Sequence, residues 1–301
     1  MSVWFLFICR NMNEHDNRHL IPGSEWLYAK IYTGSEFADM LLSSSILELV
    51  TNLLDSDVEQ FFFIRYFDPH FHIRLRFKLI SPEHFNSIIS AIYKTVLPFI
   101  KTKQIWKIQY DTYDREIERY GLNTMDESES IFYYDSITTL YIIQLIRQNK
   151  IGARWPVALL LMDRMFQTFG LDLQQKYTFC EKTAIGYKKE FGIEEHNQQL
   201  NSIYRNQKTT VVSILESNNS SYYLQDIQRL IDEKTRHISP IVESIRLKTT
   251  KEQYYSLVSS YTHMMINRFF ISDARKSEMI LYDILTRYYK SKIARQEYNK
   301  E

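Results

Sequence analysis

The chain has 301 residues, enough to bury a substantial core in one large domain or two intimate ones. Its 37 basic and 36 acidic residues leave a net charge of +1, which argues against binding nucleic acid by bulk electrostatics while leaving room for a local basic pocket. Aromatic residues make up 15% but Gly and Pro number only 7 and 6, a balance that suits long helices with a modest sheet. In chain order, Met1 to Cys9 reads as a strand. Its apolar run is too short to span a bilayer and lacks the basic segment and cleavage site of a signal peptide. Cys9 and Cys180 show no metal-ligand spacing, which fits buried thiols in a reducing compartment, so the expected location is the cytoplasm.

Arg10 to Pro22 reads as a connector. Trp26 to Tyr32 reads as a strand with Lys30 on its aromatic face. Gly34 and Ser35 open a helical pattern over Glu36 to Leu54, with apolar residues at three- and four-residue intervals. Asp68-Pro69 is a turn signal that divides the next apolar run into strands Phe61 to Phe67 and Phe71 to Leu79. Ser81 is an N-cap with Pro82 at the first helical position, predicting a helix to about Ile100, and Lys103 to Tyr113 is a further strand. The resulting strand, helix, two strands, helix, strand order predicts an α+β fold: a small mixed or antiparallel sheet of ferredoxin-like, split βαβ character. From Ser128 onward the strand signal almost vanishes. Helices are expected at Glu129 to Gln148, Val157 to Phe169, Leu173 to Phe191, Glu194 to Glu216, Tyr222 to Leu247, Lys251 to Phe270 and Ser272 to Lys292. Pro240 is expected to kink or break the fifth of these. The chain reads as one domain over 1–301, with a sheet-containing part at 1–125 and a helical part at 126–301.

Chemistry concentrates in FFFIRYFDPHFHIRLRF, Phe61 to Phe77. His72, Arg74 and Arg76 alternate with Ile73, Leu75 and Phe77, so a strand here has one basic and one apolar face. Residues two apart on a face lie roughly 6–7 Å from each other, a spacing that suits the two ends of a small dicarboxylate. Each guanidinium is able to grip a carboxylate with two parallel hydrogen bonds. The same pattern also describes an outer strand with its arginines in water, protecting a sheet edge, and exposed arginines are the commoner case. Tyr113 to Gly121, YDREIERYG, reads either as a helix pairing Glu116 with Tyr120 and Arg115 with Arg119 on a mixed-charge surface, or as a strand exit carrying Arg119 toward the basic face. In SYTHMMINRFF, His263 and Asn267 share a helix face, so Asn267 is placed to orient the imidazole; a histidine amid methionines is more often a satisfied core residue than a catalyst. The sequence contains no Gly-rich phosphate loop, Gly-x-Ser-x-Gly elbow, His-Glu-x-x-His or zinc-spaced Cys/His cluster, which disfavours nucleotide- and metal-driven chemistry.

Taken together, PGSEWLYAKIY (Pro22 to Tyr32), FFFIRYFDPHFHIRLRF, YDREIERYG with FYYDS (Phe132 to Ser136), and SYTHMMINRFF (Ser260 to Phe270) resemble the C-terminal elimination domain of lanthipeptide dehydratases, also called the thiopeptide-type bacteriocin biosynthesis domain. They run in the family's order across nearly the whole chain. The resemblance implies a lyase without metal or cofactor. It removes glutamate from glutamylated Ser or Thr of a ribosomally made precursor peptide, giving dehydroalanine or dehydrobutyrine. The family's functional positions fall on Arg74, Arg76, Arg119 and His263. Arg65, His72, Glu116, Tyr120 and Asn267 lie beside them and are expected to contact substrate. Met1 lies close to the first matching segment, so the chain resembles the split systems. The implied partners are the precursor peptide and a separate glutamyl-tRNA-dependent glutamylation protein, with no direct contact to nucleic acid and no membrane span. The resemblance also suggests a homodimer. Trp26, Tyr28 and Tyr32 offer an aromatic surface for peptide or, equally, core packing.

Two other readings compete. Stand-alone relatives in thiopeptide pathways join two dehydroalanines in a formal cycloaddition that yields a pyridine-type ring; retention of the three arginines and His263 favours elimination. A non-catalytic module binding the peptide or the glutamylating partner is the third.

Overall fold

The computed structural model describes residues 18–193, 198–216 and 222–298, which fall into two compact units, Met1–Tyr133 and Tyr134–Glu301. The strand expected at Met1 to Cys9 and the start of the helix expected from Glu194 lie outside the described residues.

The first unit contains β1 (His19–Leu20), β2 (Trp26–Thr33), β3 (Val58–Phe67), β4 (Phe71–Leu79), β5 (Ile105–Asp111) and β6 (Tyr113–Asp114). β2 to β5 form one sheet in the order β3-β4-β2-β5, every neighbouring pair antiparallel, and β1 pairs with β6. The expected mixed or antiparallel sheet is therefore fully antiparallel. β2 and β3 run the same way with β4 between them, and β4 and β5 run the same way with β2 between them, so each helical connection crosses an intervening strand. Period-two alternation sets the faces. Leu27, Ala29 and Ile31 on β2 and Ile73, Leu75 and Phe77 on β4 are buried on one face, each large side chain stabilising the fold by about 1.5–3 kcal/mol.

The helix expected over Glu36 to Leu54 is α1 (Ser35–Leu41) and α2 (Leu47–Leu53), joined by a π-helical turn at Leu42–Ile46. The turn has a local cause: the hydroxyls of Ser43 and Ser44 both donate to the Met40 carbonyl, at 3.3 and 2.6 Å, and compete with the helical ladder there. Ser81 accepts a hydrogen bond from the Glu83 N–H and Pro82 opens a 3-10 turn before α3 (Phe85–Lys101). Ile88, Ile92 and Val96, four apart, are its buried face. The short α4 (Ile117–Tyr120) follows β6, and α5 (Met125–Gln148) runs across the boundary between the units.

The second unit is helical: α6 (Trp155–Thr168), α7 (Leu173–Glu190), α8 (Gln198–Leu215), α9 (Tyr222–Lys248), α10 (Lys251–Phe269) and α11 (Ala274–Tyr298). The run from Val157 to Met162 is buried without interruption, the signature of a helix enclosed on all sides. α7 and α11 pack along one another. Capping boxes, Asp172 with Gln175 and Thr250 with Gln253, open α7 and α10. Pro240 does not break α9, which is continuous through it. The buried stripe of Ile238, Val242 and Ile245 outweighs the one backbone hydrogen bond that proline removes, and Ser239 adds a side-chain bond to the Thr235 carbonyl at 2.7 Å.

Three buried charges tie α5, α9 and α10 together: the Asp135 carboxylate accepts from Lys234 Nζ and from Arg268 Nη1, each at 3.0 Å. Asp135→Ala leaves two buried cations without this carboxylate and is expected to lower unfolding free energy by about 3–5 kcal/mol in chemical denaturation. Glu243→Ala, which removes the exposed partner of Arg246, is expected to cost less than about 1 kcal/mol.

Candidate active site

His72, Arg74 and Arg76 emerge from β4 on the face opposite Ile73, Leu75 and Phe77. Strand register supplies their neighbours: Tyr28 and Phe62 flank Arg76, Lys30 and Ile64 flank Arg74, and Tyr32 and Tyr66 flank His72. β4 is a central strand, not an outer one, and Arg76 is only 8% exposed. The alternative that leaves these arginines in water is thereby overturned for Arg76.

Arg76 sits in a cage of rings. Its Cζ is 4.3 Å from the ring centre of Tyr28, 4.8 Å from that of Tyr113 and 5.1 Å from that of Phe62. Cation–π attraction offsets part of the cost of taking the guanidinium out of water. Four arginines are buried among the described residues, and three have carboxylate partners: Arg65 with Asp39, Arg115 with Glu129, Arg268 with Asp135. Arg76 has none among the described residues, and its Nε is buried without a hydrogen-bond partner. A buried cation left in this state attracts an anion.

Arg74 stacks on Tyr66, its Cζ 3.3 Å from the ring centre, and its Nε donates to His72 Nε2 at 3.2 Å. His72 Nδ1 lies 2.8 Å from the His70 carbonyl. Both bonds are satisfied only by the neutral Nδ1–H tautomer. Burial pushes the His72 pKa down, against the His70 carbonyl and with help from the Arg74 and Lys30 charges. Asp111, on the same face, is hydrogen-bonded to Lys30. Burial opposes the Asp111 charge, yet the hydrogen bonds from Lys30 and the Thr112 N–H hold its carboxyl below the usual value. The face therefore keeps Lys30 occupied and leaves Arg74 and Arg76 without a carboxylate of their own among the described residues.

Glu116 is the N-cap of α4 and Arg119 lies in its single turn, where Arg119 Nη1 donates to Glu116 Oε2 at 3.4 Å. Gly121 ends the turn at φ +77, where an added Cβ would stand 3.0 Å from Thr124 Oγ1. Tyr120, expected to touch substrate, is buried with its ring 5.0 Å from Phe132, which lies 5.3 Å from Phe62. It anchors the helix that carries Arg119 to the cage wall. Arg115 is not part of a mixed-charge surface: it is buried, its Nε and Nη2 donating to the two oxygens of Glu129 at 2.8 and 2.6 Å. Arg65 is removed from the basic face. It pairs across the strands with Ile73, so it points to the apolar side, where its guanidinium donates to Asp39 at 2.6 Å. Trp26, Tyr28 and Tyr32 are all buried, which makes them packing residues and not an exposed aromatic surface.

In the second unit His263 lies on α10 with its side chain a quarter exposed. Its Nδ1 bonds the buried Glu278 of α11 at 2.8 Å. Glu278, not Asn267, is thus the group placed to orient this imidazole, with Nδ1–H donating to its carboxylate and Nε2 left as the second ring nitrogen. The Tyr187 hydroxyl also donates to Glu278; burial first, and then this carboxylate, push the Tyr187 pKa up. The local sequence gives only a faint signal of Glu278, an acidic residue on the helix stripe that buries Leu281, Tyr282 and Leu285. The cage residue Phe62 carries a stronger one, since period-two counting along β3 puts it on one face with Ile64 and Tyr66.

A group whose folded pKa is depressed contributes stability that is present above its unfolded pKa and lost as pH falls. For His72 the loss should begin near the ordinary histidine value of about 6.5 and continue to its lower folded midpoint. In an NMR titration His72 is expected to protonate below about 6.5, and Arg74→Ala to raise the midpoint only partway, because burial is the larger cause. Protonation at or above that value would contradict the tautomer drawn from the geometry.

The comparisons with known proteins agree with this architecture. A family profile described as lantibiotic biosynthesis dehydratase C-term matches residues 26–289. The chain is 24% identical over 276 residues to the subtilin biosynthesis protein SpaB of Bacillus subtilis, covering 88% of this chain and 25% of that one. It is 26% identical over 298 residues to the nisin biosynthesis protein NisB of Lactococcus lactis subsp. lactis, covering 95% and 27%. It therefore spans about a quarter of the length of these relatives. Among solved structures, the tRNA-dependent lantibiotic dehydratase MibB from Microbispora sp. 107891 superposes with a TM-score of 0.71 at 19% identity, over 91% of this chain and 29% of that one. The pyridine synthase TbtD from thiomuracin biosynthesis superposes with a TM-score of 0.62 at 12% identity, over 90% and 99%. With its profile match running from the first strand of the main sheet into the last helix, this chain belongs to the family of C-terminal domains of lantibiotic biosynthesis dehydratases.

Proposed function

We propose that this chain eliminates glutamate from glutamylated Ser or Thr side chains of a ribosomally made precursor peptide, leaving dehydroalanine or dehydrobutyrine. The observation that carries the reading is Arg76, a buried guanidinium held between three rings with no carboxylate partner among the described residues. Hydroxide is the conjugate base of an acid of pKa about 15.7, whereas a carboxylate leaves from one near 4. At about 1.4 kcal/mol per unit, the prior glutamylation removes most of the leaving-group barrier. What remains is to take the Cα proton and to hold negative charge as it grows. The Cα–H electron pair becomes the Cα=Cβ bond, the Cβ–O bond breaks, and glutamate departs with both electrons of that bond.

In this reading Arg74, Arg76 and Arg119 hold the glutamyl carboxylates and the developing enolate-like oxygen, which is work for preorganised cations. His263 transfers protons through Nε2, with Glu278 setting its tautomer. The reaction needs a precursor peptide already glutamylated at Ser or Thr, and takes place in the cytoplasm. Among the described residues no helix is long and apolar enough to cross a membrane.

Incubating the protein with a synthetic glutamylated Ser peptide and following its mass tests the reading. Loss of glutamic acid with a dehydroalanine product is expected. Arg76→Ala and His263→Ala should each lower the rate by at least about 100-fold, the range seen when a charge-stabilising or proton-transferring group is removed. An unchanged ester, also with the native precursor, would refute it. A second reading, formal cycloaddition of two dehydroalanines, draws on the likeness in fold to TbtD; a bis-dehydroalanine peptide separates the two, since only a cyclase would consume it.

A further inference from the structure

A buried polar chain anchors one ring of the Arg76 cage. The Tyr113 hydroxyl donates to Glu129 Oε1 at 2.9 Å, and Arg115 grips the same carboxylate from Nε and Nη2 at 2.8 and 2.6 Å. Arg115 and Glu129 have side-chain exposures of 7% and 3%. Three donors therefore converge on one buried carboxylate, and the ring they hold from one end is the one whose face lies 4.8 Å from Arg76 Cζ. The other rings lock against it: Phe62 at 5.7 Å and Trp26 at 5.3 Å, both in edge contact. Phenylalanine at 113 would fill the same space but leave one edge of that wall without its anchor. Arg115 and Tyr113 between them engage both oxygens of the Glu129 carboxylate.

We infer that Arg115, Glu129 and Tyr113 are positioning residues for Arg76: they fix one wall of its cage. None of the three is assigned contact with substrate. The catalytic consequence rests on the elimination reading, whereas the positioning itself does not. A cation that serves the transition state must be held within about 1 Å of its place, and displacement shows in kcat before KM.

The test uses Tyr113→Phe, which keeps the ring, with Glu129→Gln as a second variant, and reads two quantities in the full chain. One is the order parameter of the Arg76 side chain from 15Nε relaxation, its signal assigned with Arg76→Lys. The other is the kcat and KM for glutamate loss from a glutamylated Ser peptide. Expected in Tyr113→Phe are an intact fold, a lower Arg76 order parameter, and kcat reduced roughly tenfold with KM within about twofold. Unchanged Arg76 order together with unchanged kcat overturns the inference. If the unmodified protein shows no glutamate loss at all, the elimination reading fails alone, and the order parameter still decides for or against the positioning role. If Glu129→Gln unfolds, Tyr113→Phe carries the decision.

Discussion

A buried guanidinium without a carboxylate partner among the described residues is the constraint on which the first unit turns. Among the described residues Arg76 is held by ring faces and not by an opposite charge, so the cage has to be wide, rigid and closed on its protein side. Each wall comes from a different element: Tyr28 from β2, Phe62 from β3, Tyr113 from β6. Antiparallel register brings the first two opposite Arg76 on either side of β4. The sheet order that makes β4 central is therefore a requirement of the site as much as of the core. On an edge strand Arg76 would lose one of these walls and be exposed to water.

Charge is disposed on the same plan. Where the chain uses charge for structure, the charges are matched: Arg65 with Asp39, Arg115 with Glu129, Lys234 and Arg268 with Asp135. On the basic face, Asp111 is taken by Lys30. The second unit offers a different pairing, His263 with Glu278, in which a part-exposed imidazole is set by a buried carboxylate. In the proposed elimination, cations to bind the leaving carboxylate and an imidazole to move the proton are the two kinds of group the chemistry needs. MibB and TbtD share this fold yet carry names of different chemistries. Side-chain placement, not architecture, has to decide between them.

Much of this was legible in the sequence. Alternation in HIRLRF predicted the basic and apolar faces of β4, and Asp68-Pro69, Ser81-Pro82 and Gly170 marked the boundaries near which the elements change. What escaped were facts of long-range pairing. Arg65 and Arg76 look alike in a strand pattern, and only register shows that Arg65 faces Asp39, from a helix earlier in the chain. Arg115 read as surface because its partner Glu129 is on the next long helix. Local spacing offers only i, i+4 neighbours and so points to Asn267 as the orienter of His263, whereas the partner, Glu278, comes from α11. The π-helical turn after α1 escaped for a local reason, serine hydroxyls competing for a backbone carbonyl.

The most direct test of the central claim, that Arg76 is held for the anion of a bound substrate, is a crystal structure with a glutamylated peptide whose ester oxygen is replaced by NH. The account predicts a ligand carboxylate or carbonyl oxygen within about 3 Å of the Arg76 guanidinium, with the three rings unmoved. Ordered ligand elsewhere in the protein, with Arg76 touching only its rings, would contradict it.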